Sequence, residues 1–389
     1  MDYTRLGLQL RRAREYARMT QEEAATQLGI TPAALSQYES GKRRINALML
    51  ERLSRLYGVP LTFFFREEIA RPAWEEALRA KTDTLSIRGK AGIGRLIERV
   101  RDLEYLYRVT GTPFPGMSHP PFEPLHHQGF SEHEVFEWAE KARRHFDVGH
   151  APLPDVRSFL ERQGYHVFMV PLGQQREDLS GLFFIHPELG PIVAVNEDHH
   201  IARRPFTLAH ELAHGLFHYD RPAILCRSSD QDPLERFADR FASHFLVPTE
   251  ALHEWLRDRR IQKAERPEEV VHLARYFGVS YLMMLRRLRE VQGLGVPEEQ
   301  LRSVKPVALA KSLGYPVAPY EFGDQPLPLE ERVPRIYLDL AYRGALEGQI
   351  SVSRAAELLG VSDIELEERL EQLAEAQAAP ATEALEIYA

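Results

Sequence analysis

The segment FTLAHELAH, residues 206–214, sets His210 and His214 four residues apart, with Glu211 directly after the first. On a helix that spacing is about 6 Å of rise and about 40° of rotation, so both imidazoles can meet one ion. Zinc suits such a pair, with nitrogen–metal distances near 2.0–2.1 Å. Glu211 lies about 100° round from His210, facing a metal-held water rather than the metal. It would take that water's proton and pass it to a departing amine, the chemistry of peptide hydrolysis.

A zinc ion used this way needs a third protein donor. His218 lies eight residues after His210, about 12 Å along the axis, so it reads as a pocket wall or a donor to a ligating histidine. The residue ten after His210 is Asp220, not the histidine of a metzincin. The better candidate is Glu235 in PLERFADRFASHFLVP, where Phe237, Phe241 and Phe245 repeat every four residues as a packing face. Asp239, one turn on, is placed to accept from the far nitrogen of a ligating histidine. His244 is an alternative metal or transition-state group, and Tyr219, His218 and His244 compete to steady a developing oxyanion. Two histidines, one carboxylate and one open water position make a catalytic zinc site, whereas closed structural sites use four protein ligands.

The elements that must position these side chains follow from local pattern. Pro205 and Thr207 suggest a capped start to the histidine helix, and Leu208, Leu212 and Leu216 its inner face. Before it, YHVFMV (165–170), GLFFIH (181–186) and PIVAVN (191–196) read as strands, the last two joined by a PELG turn. The third could accept an extended substrate by strand addition. Helices are expected over 131–146 and 154–163, giving an α+β domain over 125–260.

Upstream, Leu6, Leu10 and Ala13 begin an apolar stripe. Thr20-Gln-Glu-Glu23 forms a capping box, and Gly29 stops the short helix it starts. Thr31 caps the next helix, with Pro32 in its first position. Two short helices around a Leu28-Gly-Ile30 corner are the local form of a helix-turn-helix, with Leu28, Ile30, Leu35, Leu50 and Leu53 as core. Read so, residues 1–62 are an all-α DNA-binding domain. Ala33, Ser36 and Gln37 face base edges. Thr31 stands at the start of the reading helix, Gln21 pins a phosphate, and Lys42, Arg43 and Arg44 supply backbone charge. Residues 1–62 hold ten Lys or Arg against six Asp or Glu, in a chain of net charge −8. Domains of this kind bind palindromic operators as homodimers.

Residues 63–112 read as a helical adaptor, 113–124 as a proline-rich linker, and 261–389 as a helical region with helix-turn-helix-like segments of structural or dimerising role. The single cysteine, Cys226, excludes an intrachain disulfide and a thiolate-rich metal site and fits a reducing cytoplasm. Neither a signal core nor a membrane-spanning run is read from the sequence.

The blocks FTLAHELAHGLFH and ERFADRFASHFLVP resemble the ImmA/IrrE family of zinc metallopeptidases. That resemblance implies a gluzincin-like fold, with ligands on His210, His214 and Glu235 and the catalytic carboxylate on Glu211. Ala213 replaces a usual glycine and Asp239 a common asparagine; neither removes a ligand. TQEEAATQLGITPAALSQYESGKR resembles the XRE-type, Cro-like helix-turn-helix. Such relatives are bacterial or phage-encoded. Some cleave a partner XRE-type repressor in stress or mobile-element responses, and others sense small ligands through a peptidase-like domain. The expectation is therefore a cytoplasmic regulator that binds an operator and, through Zn²⁺, cleaves a repressor or itself. The alternative is a non-proteolytic, ligand-sensing transcription factor.

Overall fold

The computed structural model describes residues 3–378 apart from 18, 60, 66–72, 81, 117–119, 127–129, 228, 231 and 318–326. Parts of the expected adaptor, linker and tail therefore lie outside the described residues.

The chain begins with four helices, α1 (Tyr3–Tyr16), α2 (Gln21–Leu28), α3 (Pro32–Glu39) and α4 (Ala47–Tyr57). The expected caps form: Thr20 and Glu23 close a capping box, Gly29 turns left-handed, and Thr31 Oγ1 accepts from the Ala34 amide. Leu6, Leu10, Ala13, Leu28, Leu35, Leu50 and Leu53 are buried together, with Ile30 packed at their margin. A buried ion pair that sequence reading missed ties α1 to α3. Arg14 Nε donates to Glu39 Oε1 at 2.6 Å and Nη2 to Oε2 at 3.0 Å, while Nη1 donates to the Met19 carbonyl at 2.8 Å. Removing one partner strands a buried charge, which costs about 3–5 kcal/mol. Glu39→Ala should accordingly strip hydrogen-exchange protection from the amides of α1–α3 in the full chain; unchanged protection would show the pair to be dispensable.

Helices α5 (Ala73–Ala80) and α6 (Ile87–Val109) follow, then α7 (Glu132–His145) and α8 (Val156–Arg162). The sheet contains β1 (His166–Val170), β2 (Leu179–His186), β3 (Gly190–Asn196) and, beyond α9 (Arg204–Phe217), β4 (Ile224–Arg227). Its order is β1-β3-β2-β4, with β1 parallel to β3 and the other pairs antiparallel. The short β4 was not foreseen. Strand β3 is interior, flanked by β1 and β2, so it cannot accept a substrate strand as expected; both of its ladders are already used.

Alternation sends the two faces of this sheet into different cores. Phe168, Val170, Leu182, Phe184, Ile192 and Ala194 join the helix-turn-helix helices, α6 and the tail helices in one cluster. Trp74 of α5 stacks on Phe184 at 5.2 Å. Val167, Met169, Phe183, Val193 and Val195 face α9 and α10 (Pro233–Leu246) in the other. The α+β arrangement thus has helices on both sheet faces.

Next come α11 (Thr249–Asp258), α12 (Pro267–Phe277), α13 (Tyr281–Val291), α14 (Glu298–Arg302) and α15 (Pro306–Ser312). The helix-turn-helix-like pair α12–α13 buries Val270, Leu273, Phe277, Met284 and Leu288 in the same core as α9 and α10, which is a packing role. Helices α16 (Arg335–Leu346), α17 (Val352–Leu359) and α18 (Asp363–Ala378) join the core of α6. No described helix is long and apolar enough to cross a membrane.

Candidate metal centre

Helix α9 is buried almost all round. A 3₁₀ turn, Ile201–Arg203, runs directly into it, and the His200 side chain accepts from the Ala202 amide. Thr207 is therefore inside the first turn, donating to the Arg203 carbonyl at 3.3 Å, and is not the cap its sequence position suggested. Helix α10 starts at Pro233, with Asp232 accepting from the Leu234 and Glu235 amides. Phe237 and Phe241 each pack at 5.4 Å against Phe217 of α9 and fix the crossing of the two helices.

That crossing brings His210, His214 and Glu235 together. The two Nε2 atoms are 3.1 Å apart, and the Glu235 oxygens lie 3.2 Å from His210 Nε2 and 3.5 Å from His214 Nε2. Donors around one tetrahedral zinc at 2.0–2.1 Å stand roughly 3.3 Å apart, so the set fits that ion. Each far nitrogen is held: His210 Nδ1 by Asp239 Oδ1 at 2.9 Å, and His214 Nδ1 by His218 Nδ1 at 2.9 Å. Both rings are thereby turned to present Nε2 to the same point.

Burial and close pairing shift the ionisation of the clustered groups in opposite directions. Burial works against ionising Glu235, but hydrogen bonds from both histidines hold its carboxyl well below the usual range. Burial also opposes charge on His210, yet Asp239 and Glu235 lift its pKa to about 10. Burial lowers His214 and His218. Glu211 is fully buried, and desolvation pushes it up to about 8. Its Oε1 has no hydrogen-bond partner among the described residues.

Gly181 of β2 makes room for that carboxylate. A Cβ there would stand 2.4 Å from Glu211 Oε1, 2.9 Å from Thr207 Cγ2 and 3.1 Å from the Ala194 carbonyl oxygen. Gly181→Ala should therefore displace Glu211 and destabilise the chain by about 1–3 kcal/mol. A lowered melting midpoint of the zinc-loaded full chain is the expected readout, and an unchanged one would mean the carboxylate moves aside freely.

Of the other anticipated transition-state groups, His244 is placed away from the donors. His244 lies nine residues, about 13 Å, beyond Glu235 on α10, where Arg287 Nη2 meets its Nδ1 at 3.0 Å. Tyr219 has Glu123 and Asp220 as charged neighbours. Cys226 was missed. Strand β4 sets its side chain on the α9 face, where it forms a four-donor group with His210, His214 and Glu235, all within 4.8 Å of one another. Its Sγ is 3.5 Å from Glu211 Oε2. Only a strand too short to show a period carries that position.

In the first domain Ala33, Ser36 and Gln37 are exposed on α3, as are Thr31, Lys42, Arg43 and Arg44. Arg43 lies over the Tyr38 ring at 5.1 Å and Arg44 over Tyr3 at 5.6 Å. Gln21 Nε2 donates one hydrogen to Glu39 Oε2 at 2.7 Å, which ties the start of α2 to the interior ion pair.

Residues 10–64 match the helix-turn-helix family, and residues 160–289 match the family described as the IrrE N-terminal-like domain. Uncharacterized HTH-type transcriptional regulators of Sinorhizobium medicae and Rhizobium meliloti are each 36% identical over 62 residues. That alignment covers 16% of this chain and 45% of theirs, so the chain spans a little under half the length of these relatives. ComR from Streptococcus suis aligns over 97% of both chains at 11% identity, with a TM-score of 0.16, too low to relate the two folds. Along the matched residues, the chain carries an XRE-type helix-turn-helix domain followed by a domain of the IrrE N-terminal-like peptidase family.

Proposed function

We propose that the chain is a DNA-binding transcriptional regulator whose second domain is a zinc-dependent endopeptidase acting on a repressor or on the chain itself. One observation carries the enzymatic part: a fully buried carboxylate, Glu211, with one unpartnered oxygen, stands beside three converged donors. Zinc held by His210, His214 and Glu235 would polarise the scissile carbonyl and acidify a water. Glu211 would accept that water's proton and return it to the amine. Asp239 and His218 would keep the two imidazoles aimed. An extended substrate would add to β4, the sheet edge that borders the site, since β3 is enclosed.

The DNA-binding part rests on α3, with Gln37 and Ser36 reading bases and Lys42, Arg43 and Arg44 gripping phosphates. A homodimer on a palindromic operator is the expected form, and the cytoplasm the compartment. The test is incubation with XRE-type repressors encoded near the gene, followed by mass analysis of fragments. Defined fragments are expected, and chelation should abolish them while added zinc restores them. Intact repressors and an intact chain under all conditions would sink the proteolytic reading. The non-proteolytic sensor then stands instead, favoured by the depth of the site: His214 and Glu211 are fully buried.

A further inference from the structure

We propose that Cys226 is a fourth ligand of this centre, so that in the resting site a thiolate holds the place the attacking water takes when substrate enters. The proposal rests on the metal-site reading above and adds a resting state to it.

The first observation is placement. Ala223 and Leu225 enter the core on the far side of the sheet, whereas Ile224 and Cys226 enter the α9 core. The alternation of a single short strand therefore sends the thiol toward the histidines. The β2–β4 register shifts between Leu179 and Gly181, so Gly181 faces Cys226, while Ser180 Oγ donates to the Cys226 carbonyl at 3.0 Å. This irregularity seats the cysteine opposite the same glycine that makes room for Glu211. Four donors from three elements, α9, β4 and α10, then surround one point.

The second observation is the neighbouring carboxylate. Glu211 is fully buried, with Oε1 unpartnered among the described residues and Oε2 3.5 Å from the sulfur. The thiol thus lies on the side of the cluster that Glu211 faces, where a catalytic site keeps its open position. A zinc–sulfur bond is about 2.3 Å and a tetrahedral site of two histidines, one carboxylate and one cysteine is fully saturated. On ligation the S–H bond breaks, its proton leaves to solvent and the sulfur lone pair binds the ion; no electrons are transferred. Saturation leaves no place for the attacking water until the sulfur is displaced.

Cobalt(II) replacing zinc in the full chain tests this directly, because the chain has only one cysteine and no other thiol can contribute. The wild type is expected to bind one cobalt per chain, with tetrahedral visible bands and a thiolate-to-cobalt charge-transfer band in the near ultraviolet. Cys226→Ser should keep the bound cobalt and lose the charge-transfer band, and Cys226→Ala serves where circular dichroism shows the serine variant misfolded. One cobalt per chain without that band in the wild type overturns the thiolate latch and leaves the three-donor site standing. Failure of the wild type to bind cobalt overturns both.

Discussion

Replacing Glu211 with glutamine should lower peptide hydrolysis by about 10²–10⁴-fold, the span a positioned general base contributes, while zinc content stays at one ion per chain. The substitution keeps the shape of a side chain with no spare room beside Gly181, so the fold has little reason to change. It also leaves His210, His214 and Glu235 in place, and these three converge without it. What it removes is a proton acceptor whose pKa burial has raised to about 8. The carboxylate is the group placed to accept the proton of an attacking water, and the amide of glutamine cannot. Fragment yield by mass spectrometry and metal content by elemental analysis are the paired measurements. Undiminished cleavage by the folded variant would remove Glu211 from the mechanism, and loss of zinc would mean that it supports the metal instead.

The residues that sequence alone could place share one property: their partners are fixed by helical period. His210 and His214 are one turn apart, Asp239 follows Glu235 by one turn, and Phe237, Phe241 and Phe245 mark the buried side of α10. Once both helices are accepted, their apolar faces leave few ways to pack, and the donors meet. The capping box at Thr20 is equally local.

What escaped depends on sheet order and on distant pairs. The run PIVAVN gives no sign that β1 will cross over to lie beside it, so β3 looked available as an edge. ILCR is too short for alternation to register, and its face is set by a register shift opposite Ser180. Cys226 consequently read as a solitary thiol. Arg14 and Glu39 are 25 residues apart, and only their burial together explains why Gln21 turns inward. Gly181 looked like an ordinary strand glycine until Glu211 was seen against it.

Replacing Lys42, Arg43 and Arg44 together with alanine should weaken binding to operator DNA by roughly 10²–10³-fold at about 0.1 M salt. Each lost phosphate contact removes about 0.9 from the slope of log affinity against log salt, so the slope should shrink by nearly three per bound protomer. All three side chains are exposed just beyond α3, and stacking on Tyr38 and Tyr3 holds the two guanidinium groups in place before DNA arrives. That preorganisation favours a real contribution over the negligible one typical of a loose surface charge. The loss should be nearly uniform across sequences, because phosphates carry no base identity. Gln37→Ala provides the contrast: a cost of about 1–3 kcal/mol confined to the cognate site, with the salt slope unchanged. Fluorescence anisotropy over a salt series, on a duplex selected from a random pool by the full chain, separates the two. A triple variant with an undiminished slope would move the phosphate grip to another face of the domain, and α3 would lose its standing as the reading helix if Gln37→Ala weakened all duplexes alike.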